Sequence, residues 1–224
     1  MSIIINTPFF MLSPKTYLIG KELLDLAKLS DEYAAKTNST IFFSAPPTEL
    51  VNIVNNTKNM VITAQSSDGF NLGRGMGRTT LKSLKSIGVR ATFLNHMENQ
   101  LTLKELSIGI KEAKKLDIIS IACADSVEEA RALAILKPDI ILCEQHDLIG
   151  TGITSDENYI KSTIEAIKEI DNSILVMEGA GIRNGADVSR LISLGADGTG
   201  ISSGLALSMN KEDLLKDLFI GLDV

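Results

Sequence analysis

Three side chains able to move or stabilise charge, Lys15, His96 and Glu144, each follow a short apolar run of the kind that forms a buried strand. A carboxylate can take a proton, an imidazole can donate a hydrogen bond to a developing oxyanion, and an ammonium can steady negative charge. Together they are the set that general acid–base chemistry needs. Glycine turns at Gly150 and Gly152, at Gly179 and Gly181, and at Gly204 let backbone N–H groups come close to an anion. An anion held through amides suits an acidic chain, with 22 Lys and Arg against 28 Asp and Glu and a formal net charge of −6. Taken singly, a lysine or glutamate after a strand is usually solvated and a histidine usually satisfied by its neighbours. Their conjunction at strand ends is what points to a site.

The elements that must position them repeat along the chain. Eight β-branched or apolar runs, at 9–12, 40–44, 60–64, 90–94, 118–122, 139–143, 174–177 and 198–202, alternate with stretches of helical period. Lys104 to Leu116, Val127 to Leu136 and Ile160 to Ile170 are predicted helices. Ser126 and Asn184 are predicted N-caps, and Gly88 and Gly195 close helices before the next strand. Continuous apolar runs suit parallel strands buried on both faces. A doubly wound open sheet would use fewer strands and a glycine fingerprint after the first, which is absent. The pattern therefore predicts one domain over residues 1–224, an α/β fold closed as a (β/α)8 barrel, with its chemistry where strands end and loops begin.

Composition excludes several classes. With 44% hydrophobic and 22% charged residues in 224, the chain can bury one large core and is not disordered. The acidic balance favours neither nucleic acid nor an anionic membrane, and no apolar run approaches the length of a membrane span. Two cysteines, Cys123 and Cys143, both inside apolar segments, make no disulfide framework and fit a reducing cytoplasm. No metal cluster or cofactor motif is present, so neither is expected.

Lys15-Thr16-Tyr17, Ala64-Gln65, Asn95-His96 with Glu98, Glu144 followed by Leu148-Ile149-Gly150-Thr151-Gly152, Gly179-Ala180-Gly181-Ile182 and Ser203-Gly204 together resemble the triosephosphate isomerase family, most of all its short-chain branch. The resemblance runs from the first strand to the last helix. It implies that Glu144 removes a proton from the carbon beside a carbonyl, that neutral His96 polarises that carbonyl, and that Lys15 steadies the charge. It further implies that Gly150, Gly181, Ser203 and Gly204 donate amides to a substrate phosphate, with Ser13 lining the substrate corner. The implied substrate is a small phosphorylated sugar, and the implied assembly a homodimer or homotetramer joined partly through the loop Ser66 to Arg78. The loop from Gln145 to Glu157 would close over the phosphate.

Several positions depart from that pattern. Ser13 stands where the family has asparagine, Pro14 replaces an aromatic, Met97 replaces a serine, and Gln145 replaces a proline. Ser66 and Met76 fill the places of a histidine and a threonine. Without proline, the hinge at Gln145 is expected to be freer. Glu178 is expected as a solvated loop carboxylate, against the alternative of a second acid or substrate ligand, and His146 as exposed. Three readings stay open on the sequence: a triosephosphate isomerase, an isomerase of a longer phosphorylated sugar, and a non-catalytic phosphate binder. Intact Lys15, His96 and Glu144 favour an enzyme.

Overall fold

The computed structural model describes residues 3–69, 72–179 and 181–222. Among them eight strands run β1 (Phe9–Leu12), β2 (Ile41–Ala45), β3 (Val61–Ala64), β4 (Ala91–Leu94), β5 (Ile119–Ala124), β6 (Ile140–Cys143), β7 (Leu175–Glu178) and β8 (Gly198–Ile201). The helices are α1 (Gly20–Ala34), α2 (Leu50–Asn56), α3 (Leu81–Ser86), α4 (Leu103–Lys115), α5 (Val127–Leu136), α6 (Glu157–Lys168), α7 (Gly185–Ser193), α8 (Ser203–Ala206) and α9 (Lys211–Leu222). All eight strands pair in parallel in sequence order, and β1 closes on β8 with Phe10 opposite Thr199 and Leu12 opposite Ile201. The predicted closed barrel is the fold. Strand limits move by only one or two residues, and β7 reaches one residue further than expected, to include Glu178.

Alternation along each strand sorts side chains into two layers. Phe9, Met11, Phe42, Phe93, Ile121, Leu142 and Met177 fill the barrel, while Phe10, Leu12, Phe43, Ala122, Cys143 and Val176 pack under the helices. The two interior phenylalanines of β1 and β2 meet edge to face, with centroids 5.5 Å apart. Room for them comes from the small residues of β8. A Cβ on Gly198 would stand 2.5 Å from the Phe9 ring, and one on Gly200 would stand 2.7 Å from the Met11 carbonyl oxygen.

Helix starts are fixed by side-chain caps, which sets where each loop must end. Ser126 accepts from the Glu129 amide, Asp156 from Tyr159, and Asn184 from Asp187, while Thr102 and Glu105 form a reciprocal capping box. Gly88 and Gly195 both have positive φ between a helix and the next strand, as the sequence predicts. Among the described residues no helix is long and apolar enough to cross a membrane. Because Phe9 has no free space to retreat into, Gly198→Ala should cost about 1–3 kcal/mol, lowering Tm by about 5 °C or more in thermal denaturation. An unchanged Tm would mean the barrel floor is looser than its contacts indicate.

Candidate active site

The carboxyl ends of the strands open into one pocket of roughly 910 Å3, whose floor is the top of the barrel core: Met11, Phe93, Leu142 and Met177. Lys15, His96, Glu144, Ser13, Gly150, Gly181, Ser203 and Gly204 all line it, so the structure brings every site residue named from the sequence to one place.

His96 is held by its own loop. Asn95 leaves β4 with φ 60, a left-handed conformation that asparagine tolerates. Its amide donates to the Cys123 carbonyl, and its side-chain oxygen accepts the Leu101 amide. The Glu98 backbone N–H then donates to His96 Nδ1 at 3.1 Å. An Nδ1 that accepts carries no proton, so the neutral ring presents an Nε2–H to the pocket. That Nε2 lies 3.8 Å from Glu144 Oε2.

Lys15 sits at φ 47, uncommon for a side chain of its type, and its carbonyl accepts from the Gln65 amide at 3.0 Å. Its ammonium donates to Glu98 Oε1 at 2.9 Å. Glu144 owes its room to the neighbouring strand end: a Cβ on Gly179 would stand 3.2 Å from Glu144 Oε1 and 3.0 Å from Leu142 Cδ1.

The other end of the pocket is built from backbone. Gly150, Gly152 and Gly181 take positive φ of 77, 74 and 72. Gly181 admits no side chain, since a Cβ would meet the Ile153 carbonyl oxygen at 2.2 Å. Ser203 and Gly204 open α8 and line the same pocket, and the first amides of a helix have no partner within it. Amides gathered at glycine turns and a helix start are suited to an anion such as phosphate.

Residues 8–218 match the family profile described as triosephosphate isomerase. The chain belongs to the triosephosphate isomerase family. It is similar to the triosephosphate isomerase of Methanocaldococcus jannaschii, 32% identical over 209 residues that cover 91% of this chain and 95% of that protein. The Methanothermus fervidus triosephosphate isomerase is 32% identical over 222 residues, covering 95% and 98% respectively. That of Methanobacterium bryantii is 32% identical over 223 residues, covering 97% and 98%.

The departures from the triosephosphate isomerase pattern have structural settings that the sequence did not disclose. Ser13 Oγ lies 2.8 Å from Ser44 Oγ, so the short side chain is tied back to β2. Met97 points toward Gln100, whose amide nitrogen is 3.3 Å from its sulfur. Gln145 itself takes φ −64, the value a proline would fix, and is followed by braced backbone. A 3-10 turn, His146–Leu148, follows it directly, and the His146 amide donates to Asp125 Oδ1 at 2.6 Å. At the far end of the loop, Arg190 of α7 donates to the Ser155 carbonyl at 3.2 Å. His146 is exposed, as expected. Of the quoted motifs, Ala180 lies outside the described residues.

Glu178 corrects the sequence reading. It is the last residue of β7, fully buried, and faces outward with Val176 against α6. The Thr163 hydroxyl hydrogen-bonds its Oε1 at 2.7 Å, while Oε2 has no hydrogen-bond partner among the described residues. Strand parity is the reason: one more residue in β7 puts the side chain in the helix layer and away from the pocket. Burial pushes the carboxyl well above the usual carboxylate range, and the Thr163 hydrogen bond offsets this only in part. The nearby Cys143 thiol and Tyr159 phenol are raised too, again chiefly by burial.

Below the ordinary value of 4.5 the carboxyl is protonated in folded and unfolded chains alike and carries no penalty. As pH rises from there toward the raised folded value, the unfolded chain releases its proton while the folded chain keeps it, and stability is lost. Glu178→Gln should therefore gain stability over the parent as pH rises, by at most about 1.4 kcal/mol per pH unit. Calorimetric Tm values of the two proteins between pH 5 and pH 8 test this. A constant difference across that range would exclude a buried protonated carboxyl.

Proposed function

We propose that the chain interconverts dihydroxyacetone phosphate and glyceraldehyde 3-phosphate, with Glu144 as base, His96 as electrophile and Lys15 as the charge-steadying cation. The observation that carries this reading is the Glu98 amide on His96 Nδ1, which turns an Nε2–H donor toward the space that Glu144 shares, 3.8 Å away. Lying so close together, the two groups can reach one carbonyl oxygen and the C–H of its neighbouring carbon from the same side. Family membership favours a triose over a longer sugar or a non-catalytic binder.

The steps then follow from the groups present. Glu144 takes a proton from the carbon beside the carbonyl, and the electron pair forms the carbon–carbon double bond of an enediolate. His96 Nε2–H donates to the oxygen that becomes negative, and the Lys15 ammonium stabilises the same charge. Protonated Glu144 returns the proton to the adjacent carbon while the hydroxyl proton passes from one enediolate oxygen to the other through His96 Nε2, so the new carbonyl and the new hydroxyl form together and protons and electrons balance. Amides of Gly150, Gly181, Ser203 and Gly204 would anchor the phosphate, and closure of the loop from Gln145 would exclude water and protect the enediolate from losing it. The barrel acts as one functional unit, since every proposed site residue lies on one of its rims.

Self-association belongs to the same reading. The loop Ser66 to Arg78, of which Phe70 and Asn71 lie outside the described residues, has a braced base. Asp68 pairs with Arg78 at 2.9 Å and accepts the Thr79 amide at 2.7 Å. Its tip leaves Met76 wholly exposed and Leu72 mostly so. An apolar tip on a fixed stem is suited to a neighbour's surface.

Glu144→Asp, which withdraws the carboxylate by one methylene, should lower turnover of dihydroxyacetone phosphate by about 100-fold or more at unchanged Tm. Full activity in that variant would remove Glu144 from the mechanism. Sedimentation at micromolar concentration should find a dimer or tetramer that Met76→Glu weakens. A monomeric parent would refute the association.

A further inference from the structure

Among the described residues lining the pocket, four carry formal charge: Lys15, Glu98, Glu144 and Arg183. Lys15 and Glu98 are hydrogen-bonded at 2.9 Å and nearly cancel when seen from a distance. The remaining pair decides what an approaching anion meets. Without Arg183 the pocket would present the carboxylate of Glu144 to a phosphate dianion, in a chain already at −6. The amide nest holds an anion once it has arrived but extends only partial charges into solvent.

Arg183 stands where a full charge is most useful. It follows Gly181 and Ile182 directly, and its Cδ lies 3.5 Å from where a Cβ on Gly152 would stand, against the loop that also carries Gly150. The side chain is 64% exposed, so the guanidinium remains in water at the pocket mouth. Its partner Asp187 is 3.7 Å from Nε, beyond hydrogen-bond distance, and the same carboxylate oxygen accepts the Arg183 backbone N–H at 3.0 Å. An exposed ion pair of that length contributes little, so swinging the guanidinium toward a ligand sacrifices little. A guanidinium can give two parallel hydrogen bonds to a phosphate, which an amide nest cannot replace with an equal charge.

We propose that Arg183 is a further phosphate-binding residue of this site, drawing the substrate dianion to the glycine nest and holding it beside the loop at Gly152. The kinetic consequence rests on the isomerase reading, whereas the binding consequence does not.

The test uses the full chain as parent, as Arg183→Gln, as Arg183→Lys, and as Arg131→Gln. The last removes the same charge from an exposed pair that Arg131 of α5 makes with Glu169 at the end of α6, outside the pocket. Calorimetry gives the Kd for inorganic phosphate, and initial rates give kcat and KM for dihydroxyacetone phosphate, both from about 10 to about 200 mM salt. Arg183→Gln is expected to weaken phosphate binding and raise KM by about 3- to 10-fold at low salt, with kcat held within about twofold and a shallower salt dependence. Arg183→Lys should recover part of the loss, and Arg131→Gln should match the parent. An unchanged phosphate Kd and salt slope in Arg183→Gln, or an equal loss in Arg131→Gln, would overturn the proposal. If the parent turns over no triose phosphate, the isomerase reading fails, and the phosphate Kd alone decides for or against Arg183.

Discussion

Closing eight parallel strands into a ring leaves each side chain two destinations, the barrel interior or the layer beneath the helices, and strand parity assigns them all together. Leu142 faces in, so Cys143 faces out and Glu144 returns to the pocket. On the neighbouring strand Met177 faces in, Glu178 faces out, and Gly179 comes back to the rim, where its missing side chain leaves space for Glu144. A slip of one residue in β6 would bury the proposed base under α6. The closure itself depends on β8, whose two glycines let the aromatic interior of β1 and β2 fit within the ring.

Parity also separates two carboxyls that are near neighbours in space. Glu144 follows the last residue of β6 and Glu178 is the last residue of β7, yet one opens to the pocket and the other is enclosed among Cys143, Thr163 and Tyr159. Burial keeps the proton on Glu178 beyond the range in which an exposed carboxyl would lose it. A second negative charge behind the proposed base would oppose the anionic substrate and its enediolate. For as long as burial holds that proton on Glu178, the site is spared that cost.

Most of the architecture was legible because its causes are local. Apolar runs gave the strands, and Ser126 and Asn184 capped their helices as their types require. Positions at strand ends placed Lys15, His96 and Glu144, since barrel geometry converts eight strand ends into one rim. What was not legible depends on partners distant in sequence. Glu178 was misread because its environment follows from a single added residue of β7 and from Thr163 on α6. The Asp125 brace on the His146 amide and the Ser13–Ser44 contact join different loops and strands, and no spacing in the chain announces them. Arg183 could have been noticed as a basic residue immediately after a glycine turn, but its contact with Gly152 required coordinates.

The loop that carries Gly150 behaves as a rope between two posts. One post is Asp125, at the end of β5, gripping the His146 amide; the other is Arg190 on α7, gripping the Ser155 carbonyl. Eight residues, 147–154, hang between them, with a contour of at most about 28 Å. Gly150 and Gly152 occupy the middle of that span, farthest from both posts, while its far end is also packed by the Ile153 carbonyl against Gly181. If the loop closes over phosphate as proposed, it closes between two anchors that do not line the pocket, and a change at either one would alter that closure while leaving the reacting groups in place.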